Sequence, residues 1–248
     1  MRILLLNPNT SQSVTDRIAS AARNVAGPET QLIPATAPRG VPYIATRAEA
    51  ILGGAVALEM LAQMHRDCDA AIIAAFGDPG LGGARELFPI PIIGLAEAGM
   101  LTACMLGRSF AIVTFSSSLE AWYEECVAWH GLQSRCAGVW ALGGSFRSIS
   151  DVQEEKEGLL AELANTAINE GGADVVVLAG APLAGLARRV RERIPVPVVD
   201  CVEAAVKQAE GLVALAPRKA ERGTYSRPAA KPCSGLSDAL GRWIAHEE

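Results

Sequence analysis

Four short segments carry the groups best suited to hold a small polar molecule. They are Asn7-Pro8-Asn9-Thr10-Ser11, Phe76-Gly77-Asp78-Pro79-Gly80, Ser116-Ser117-Ser118 and Gly180-Ala181-Pro182-Leu183-Ala184-Gly185. Each places exposed backbone N–H groups and small side chains at a turn that opens a helix. That combination binds carboxylates, enolates and ring carbonyl oxygens without a full positive charge. Any one segment alone reads first as a helix cap or a tight turn. Four on one sheet edge read as a small-anion or cyclic-imide pocket.

The titratable residues are fewer. Asp78 acts as an acid or base if burial raises its pKa, and is otherwise an ordinary turn residue. Glu97 and Glu203 sit at matching places in the first turns of two helices, where the dipole favours a carboxylate. Six cysteines, at 68, 104, 126, 136, 201 and 233, show no Cys-x-x-Cys pair. Cys201, beside Asp200 at a strand's carboxyl end, is the best placed for chemistry, yet a free cysteine there also serves as a small core residue. Cys68 precedes its strand, and Cys104 and Cys126 fall inside helical patterns. His65, His130 and His246 offer no metal-ligand spacing, and His130 reads as a helix C-terminal residue. Tyr43, near Arg39 on a proline-braced loop, is placed to lid a cleft and pair with that arginine around a polar ring. Gly77, Gly80, Gly82 and Gly83 lack the lysine of a P-loop and the spacing of a dinucleotide fingerprint. No metal and no organic cofactor is expected.

The elements that must position these residues alternate along the chain. Apolar runs at 3–6, 31–33, 70–74, 92–94, 110–114, 138–142, 175–179 and 196–199 read as strands. Helical patterns fill 12–26, 47–65, 80–87, 96–106, 119–130, 151–170, 184–193 and 202–215. Residues 216–236, with three prolines, read as a surface excursion before a last short helix. The chain also repeats. Residues 69–75 align with 174–180 at an offset of 105, and Glu97 aligns with Glu203 at 106. The expected fold is α/β, with two pseudo-symmetric lobes, each a four-stranded, mainly parallel sheet flanked by helices. Residues 1–105 with 216–248 form one lobe and 106–215 the other. A cleft between the lobes gathers the post-strand residues.

Composition narrows the setting. Half of the 248 residues are hydrophobic, 5% are aromatic, and 22 basic residues face 27 acidic ones without a basic run. This excludes disorder and disfavours nucleic acid as a partner. No apolar stretch is long enough to cross a membrane, and the start at Met1 reads as a buried strand, not a signal peptide. A cytoplasmic protein is expected.

The stretches Arg2-Ile3-Leu4-Leu5-Leu6-Asn7-Pro8-Asn9-Thr10, Phe76-Gly77-Asp78-Pro79-Gly80-Leu81, Pro91-Ile92-Ile93-Gly94-Leu95-Ala96-Glu97-Ala98 and Pro197-Val198-Val199-Asp200-Cys201-Val202-Glu203-Ala204-Ala205 resemble the hydantoin/allantoin racemase branch of the aspartate/glutamate racemase superfamily. The resemblance implies two pseudo-symmetric halves, a small-molecule substrate, no cofactor and frequent homo-oligomers. It also implies two thiols on opposite faces of the substrate, one removing and one returning the proton α to a carbonyl. The matching positions here are Ala75 and Gly180, which the internal repeat pairs independently. Neither ionises, so two-base inversion cannot run from them. Pro182 stands where the family pattern has glycine, which points to a natural thiol-free lineage.

The expected function is a cofactor-independent, isomerase-like enzyme acting on a small hydantoin-, lactam- or carboxylate-type substrate. Alternatives are a ring-opening hydrolase or lyase/decarboxylase in the same pocket, or a small-molecule binding protein without catalysis. Asp78 and Cys201 are the catalytic candidates. Asn7, Thr10, Tyr43, Ala75, Phe76, Gly77, Ser116, Ser117, Gly180, Ala181 and Pro182 are the binding candidates. If racemase geometry persists, Ala75 and Gly180 face each other with nothing bulky between them.

Overall fold

The computed structural model describes residues 1–145 and 147–247. The first half runs β1 (Arg2–Asn7), α1 (Gln12–Arg23), β2 (Gln31–Thr36), α2 (Arg47–Met64), β3 (Ala70–Ile73), α3 (Leu81–Leu87), β4 (Ile92–Gly94) and α4 (Leu95–Leu106). The second runs β5 (Phe110–Thr114), α5 (Glu120–Trp129), β6 (Cys136–Ala141), α6 (Val152–Asn169), β7 (Val175–Leu178), α7 (Leu186–Val190), β8 (Val198–Asp200) and α8 (Cys201–Leu215). A last helix, α9 (Asp238–Ala245), follows the proline-rich excursion.

The strand orders are β2-β1-β3-β4 and β6-β5-β7-β8, and every pair is parallel. The repeat in the sequence is thus a repeat in space. Central strands such as β1, β3, β5 and β7 are covered on both faces, which explains their unbroken aliphatic runs. β2 extends past the expected 31–33 to Thr36, and Pro34 lies within it opposite Leu5. The edge position tolerates a residue that cannot donate to the ladder.

The halves trade helices. α4, which leaves the first sheet, packs on β7 and β8, while α8, which leaves the second, packs on β3 and β4. The two helices lie along one another, so one hydrophobic core, including Ile72, Met100, Val177 and Val206, runs through both sheets. A smaller cluster beneath α2 joins Leu4, Leu61 and Phe88 to Trp243 of α9. Trp243 donates its indole N–H to Leu87 O at 3.0 Å and stacks on Phe88 with ring centroids 5.7 Å apart. His65 belongs to this cluster, edge-on to Trp243. Among the described residues no helix is long and apolar enough to cross a membrane.

Candidate functional site

The carboxyl ends of β1, β3, β5 and β7 share one side of the molecule, and the structure assigns their residues unequal tasks. Asn7 is fully buried. Its amide nitrogen donates to Asn9 Oδ1 (3.0 Å), Ser11 O (3.2 Å) and Thr15 Oγ1 (3.0 Å), while its oxygen accepts from Asn9 N. A side chain expected to hold ligand is consumed in shaping its own loop. Thr10, half-buried, donates its N–H to Val41 O at 2.9 Å and ties that loop to the one bearing Tyr43.

The Tyr43 loop is clamped where it enters α2. Thr46 and Glu49 form a reciprocal cap, and Glu49 also accepts from Ala45 N at 2.7 Å. Tyr43 reaches the other lobe, its ring 5.9 Å from that of Phe115. Burial and nearby Glu49 push its phenol above the ordinary range. Arg39, expected beside Tyr43, instead pairs with Glu59 at 2.8 Å.

The gap expected between Ala75 and Gly180 is filled on the Gly180 side. Gly180 has φ +114°, and a Cβ there would lie 2.9 Å from Phe115 Cε1 and 3.6 Å from Tyr123 Oη. Tyr123, on α5, also packs against Phe76 with ring centroids 4.4 Å apart. Its hydroxyl bonds Thr114, whose own hydroxyl donates to Ala179 O at 3.0 Å. Burial raises the Tyr123 phenol well above its usual pKa, so it is a neutral donor. The Phe115 ring crowds the space a side chain at 180 would take, and the Tyr123 hydroxyl borders it.

Hydrogen-bond donors remain at these strand ends. Among the described residues, the N–H groups of Phe76, Ser116, Ser117, Gly180 and Ala181 have no protein acceptor. Ser116 and Ser118 share a hydroxyl contact of 2.9 Å, and Ser117 is exposed. Pro182 offers no N–H, and its carbonyl accepts from Gln153 Nε2 at 2.9 Å. Gln153, buried on α6, also donates to Ala184 O at 2.8 Å and so holds the whole turn. Gln153→Leu is expected to cost roughly 1–3 kcal/mol, because both buried carbonyls lose their donor. A urea denaturation midpoint unchanged from wild type would contradict this.

Asp78 takes a positioning role. It is buried with φ +49°, and its carboxylate accepts from Ala96 N (2.8 Å) and Glu97 N (2.9 Å), the exposed N–H groups at the start of α4. His130 Nε2 donates to Asp78 Oδ2 at 2.9 Å, and His130 Nδ1 lies 3.6 Å from Glu97 Oε1. Arg85 clamps Glu97 with both terminal nitrogens. Against the cost of burial, the two carboxylates lift His130 to about 9, while His130 and Arg85 hold Glu97 at about 2. In the other lobe Asp200 caps α8 from the residue just before it, accepting from Val202 N (2.9 Å) and Glu203 N (3.2 Å). Arg188 there pairs with Glu203. Gly94 occupies the position equivalent to Asp200, and a Cβ on it would overlap the Asp78 carboxylate. The same helix start is capped from two different places in the chain. Both repeated glutamates are held by arginines.

Cys201 is a core residue. Its thiol donates to Leu178 O at 3.4 Å and lies 2.6 Å from where a Cβ on Gly99 of α4 would stand. Burial, and then Asp200, push the thiol well above its usual pKa. Cys201→Ser is expected to lower stability by roughly 1–3 kcal/mol through burial of a hydroxyl, and to leave the rate of any turnover unchanged. Loss of rate by orders of magnitude in a folded Cys201→Ser protein would restore it as a catalytic candidate.

Residues 3–209 match the sequence profile described as Asp/Glu/Hydantoin racemase. The chain belongs to that family. The hydantoin racemase of Paenarthrobacter aurescens is 32% identical over 93% of this chain and 99% of its own length. The allantoin racemase from Klebsiella pneumoniae superposes with a TM-score of 0.91 at 34% identity, covering 97% of this chain and 99% of that one. The allantoin racemase from Pseudomonas fluorescens gives 0.88 at 34% identity, over 95% and 100% of the two chains. The two four-stranded parallel sheets match the fold of those structures, and a racemase-like enzyme is the functional class.

Sequence reasoning missed Tyr123, Gln153 and the Cys126–His130 pair. Tyr123 has no motif around it, and only the fold shows it beside Gly180. Cys126 and His130 are four residues apart on a helical pattern, hence on one face. That spacing alone does not distinguish a ligand pair from packing residues. Asp78, Cys126 and His130 in fact converge, next to a 650 Å³ cavity lined by residues of α2, the loop after β3, and α5. Gly77 N–H donates to the Cys126 sulfur, while burial and Asp78 push that thiol up. Arg47 and Glu125 meet at the edge of the cavity through two contacts of 2.7 and 2.5 Å.

Proposed function

We propose that this chain is a cofactor-independent enzyme for a small hydantoin-, lactam- or carboxylate-type substrate, bound at the strand ends between the lobes, where backbone donors hold a developing oxyanion. It does not run two-thiol inversion. The observation that carries this reading is the pairing of side chains that cannot ionise, Ala75 and Gly180, with unspent N–H donors at Phe76, Ser116, Ser117, Gly180 and Ala181. Those donors suit a developing oxyanion. Substrate enters by displacement of Tyr43 from Phe115.

A second reading follows from the missing base. Loss of carboxylate as carbon dioxide places an electron pair on the α-carbon without any proton abstraction, and the same donors hold the resulting enolate until water returns a proton. A lyase of this kind needs neither thiol. In both readings the protein is cytoplasmic and a homo-oligomer. The exposed Leu101, Met105 and Leu106 on α4 support the latter.

The test offers the unmodified chain 5-substituted hydantoins, allantoin and substituted malonates in deuterated water, followed by NMR and chiral chromatography. Turnover without racemisation is expected. Racemisation at the rate of a two-thiol enzyme would overturn the reading. Tight binding of every candidate with no turnover would identify a binding protein instead.

A further inference from the structure

Asp78, Cys126 and His130 offer a carboxylate oxygen, a thiol sulfur and an imidazole nitrogen, all within 4.8 Å of one another. We infer that this trio is a binding site for a divalent cation of the zinc class, with one coordination position open toward the cavity between α2 and α5. The site is separate from the proposed reaction, which uses neither Cys126 nor His130.

The donor set selects the metal. Nitrogen, sulfur and oxygen together suit a borderline-soft cation, whereas magnesium and calcium take oxygen alone. Preorganisation comes from both sides. Cys126 on α5 and His130, the αR residue that caps its end, stand one turn apart, so their side chains leave the same face. Asp78 is fixed by two backbone N–H groups from α4. Glu97, 3.6 Å from the far imidazole nitrogen and clamped by Arg85, is the outer carboxylate that orients a metal-bound histidine.

Charge also balances. Asp78 and Glu97 now face the charged His130 and Arg85, with no net charge. The cation forms bonds to Asp78 Oδ2, His130 Nε2 and Cys126 Sγ, displacing one proton from the imidazolium and one from the thiol into solvent. Nothing is oxidised or reduced, and the buried cluster is neutral again. Three protein ligands leave a fourth position, as in catalytic rather than structural zinc sites. Asp78 and Cys126 both line the 650 Å³ cavity, which supplies a water or a ligand atom for it.

The test uses the full chain, stripped with a chelator and titrated with cobalt(II). Expected are one cation per chain, a sulfur-to-cobalt charge-transfer band, displacement by zinc, and affinity that rises with pH as protons leave. Cys126→Ser should abolish the band and weaken binding by about 100-fold, while Cys233→Ser, at an exposed cysteine, should change neither. Glu97→Gln should weaken binding by roughly 10-fold. Independently of any variant, X-ray absorption of the zinc-loaded wild-type chain should show one sulfur at about 2.3 Å with nitrogen and oxygen ligands at about 2.0–2.2 Å. Absence of stoichiometric binding, a zinc shell without sulfur, or a band that survives Cys126→Ser would overturn the site.

Discussion

Asp78→Ala is expected to destabilise the protein by roughly 3–5 kcal/mol, the range for stripping one partner from a buried charge pair. The carboxylate both caps α4 and faces His130, so its removal leaves two N–H groups and a buried imidazolium poorly matched. In a chain of this size that loss corresponds to a fall in Tm of about 10 °C. The pseudo-symmetry supplies a sharper form of the experiment. Asp200 caps α8 from the position that Gly94 holds before α4, and Gly94 has the extended backbone of such a cap, with φ −83° and ψ 140°. Gly94→Asp alone should destabilise, because its side chain collides with Asp78. Combined with Asp78→Ala, the same substitution enters vacated space and restores the cap. The double variant should therefore be more stable than the sum of the singles by at least about 1 kcal/mol, read from a double-mutant cycle of thermal or urea unfolding. Simple additivity would show that Asp78 does not act as the missing cap.

Restoring thiols should separate proton exchange from inversion. Ala75→Cys adds one atom at a residue that already has a Cβ and conventional φ, so the protein should fold. It should then exchange the α-hydrogen of a 5-substituted hydantoin with deuterium on one face, with retention of configuration. Gly180→Cys is a different matter. At φ +114° a side chain is strained by roughly 1–3 kcal/mol, and its Cβ meets the Phe115 ring at 2.9 Å. The pair Ala75→Cys with Gly180→Cys should therefore be unstable and nearly inactive as a racemase. Adding Phe115→Leu removes the ring and should raise inversion by an order of magnitude or more over the pair, measured by chiral chromatography beside NMR exchange. Full racemase activity in the two-residue variant would refute the claim that Phe115 closes the second face.

The architecture was legible because a parallel sheet writes itself plainly. Runs such as 70–74 and 175–179 are aliphatic throughout, and their 105-residue offset marks out a second sheet like the first. The site was legible only in part. Loop chemistry singles out the segments at the strand ends, but not which groups those loops spend on themselves. Asn7 is the clearest case, since its four hydrogen bonds all close within eight residues. Cys201 went astray for another reason. A strand end faces the cleft at Gly180 but turns inward where α8 begins, and the swapped α4 then covers the thiol. Tyr123 and the Asp78–His130 contact depend on α5 meeting the first lobe, a relation with no local signature.

The exchange of α4 and α8 between the sheets also dictates how the chain is made and lost. When the first half leaves the ribosome, α4 is complete, but β7 and β8, against which its apolar side rests, have not yet been synthesised. That side stays wet for about a hundred residues more, until the second sheet arrives to receive it. Neither half owns a finished interior, so fragments cut between them should be insoluble apart and regain structure when mixed. Heating should melt the two sheets in one step.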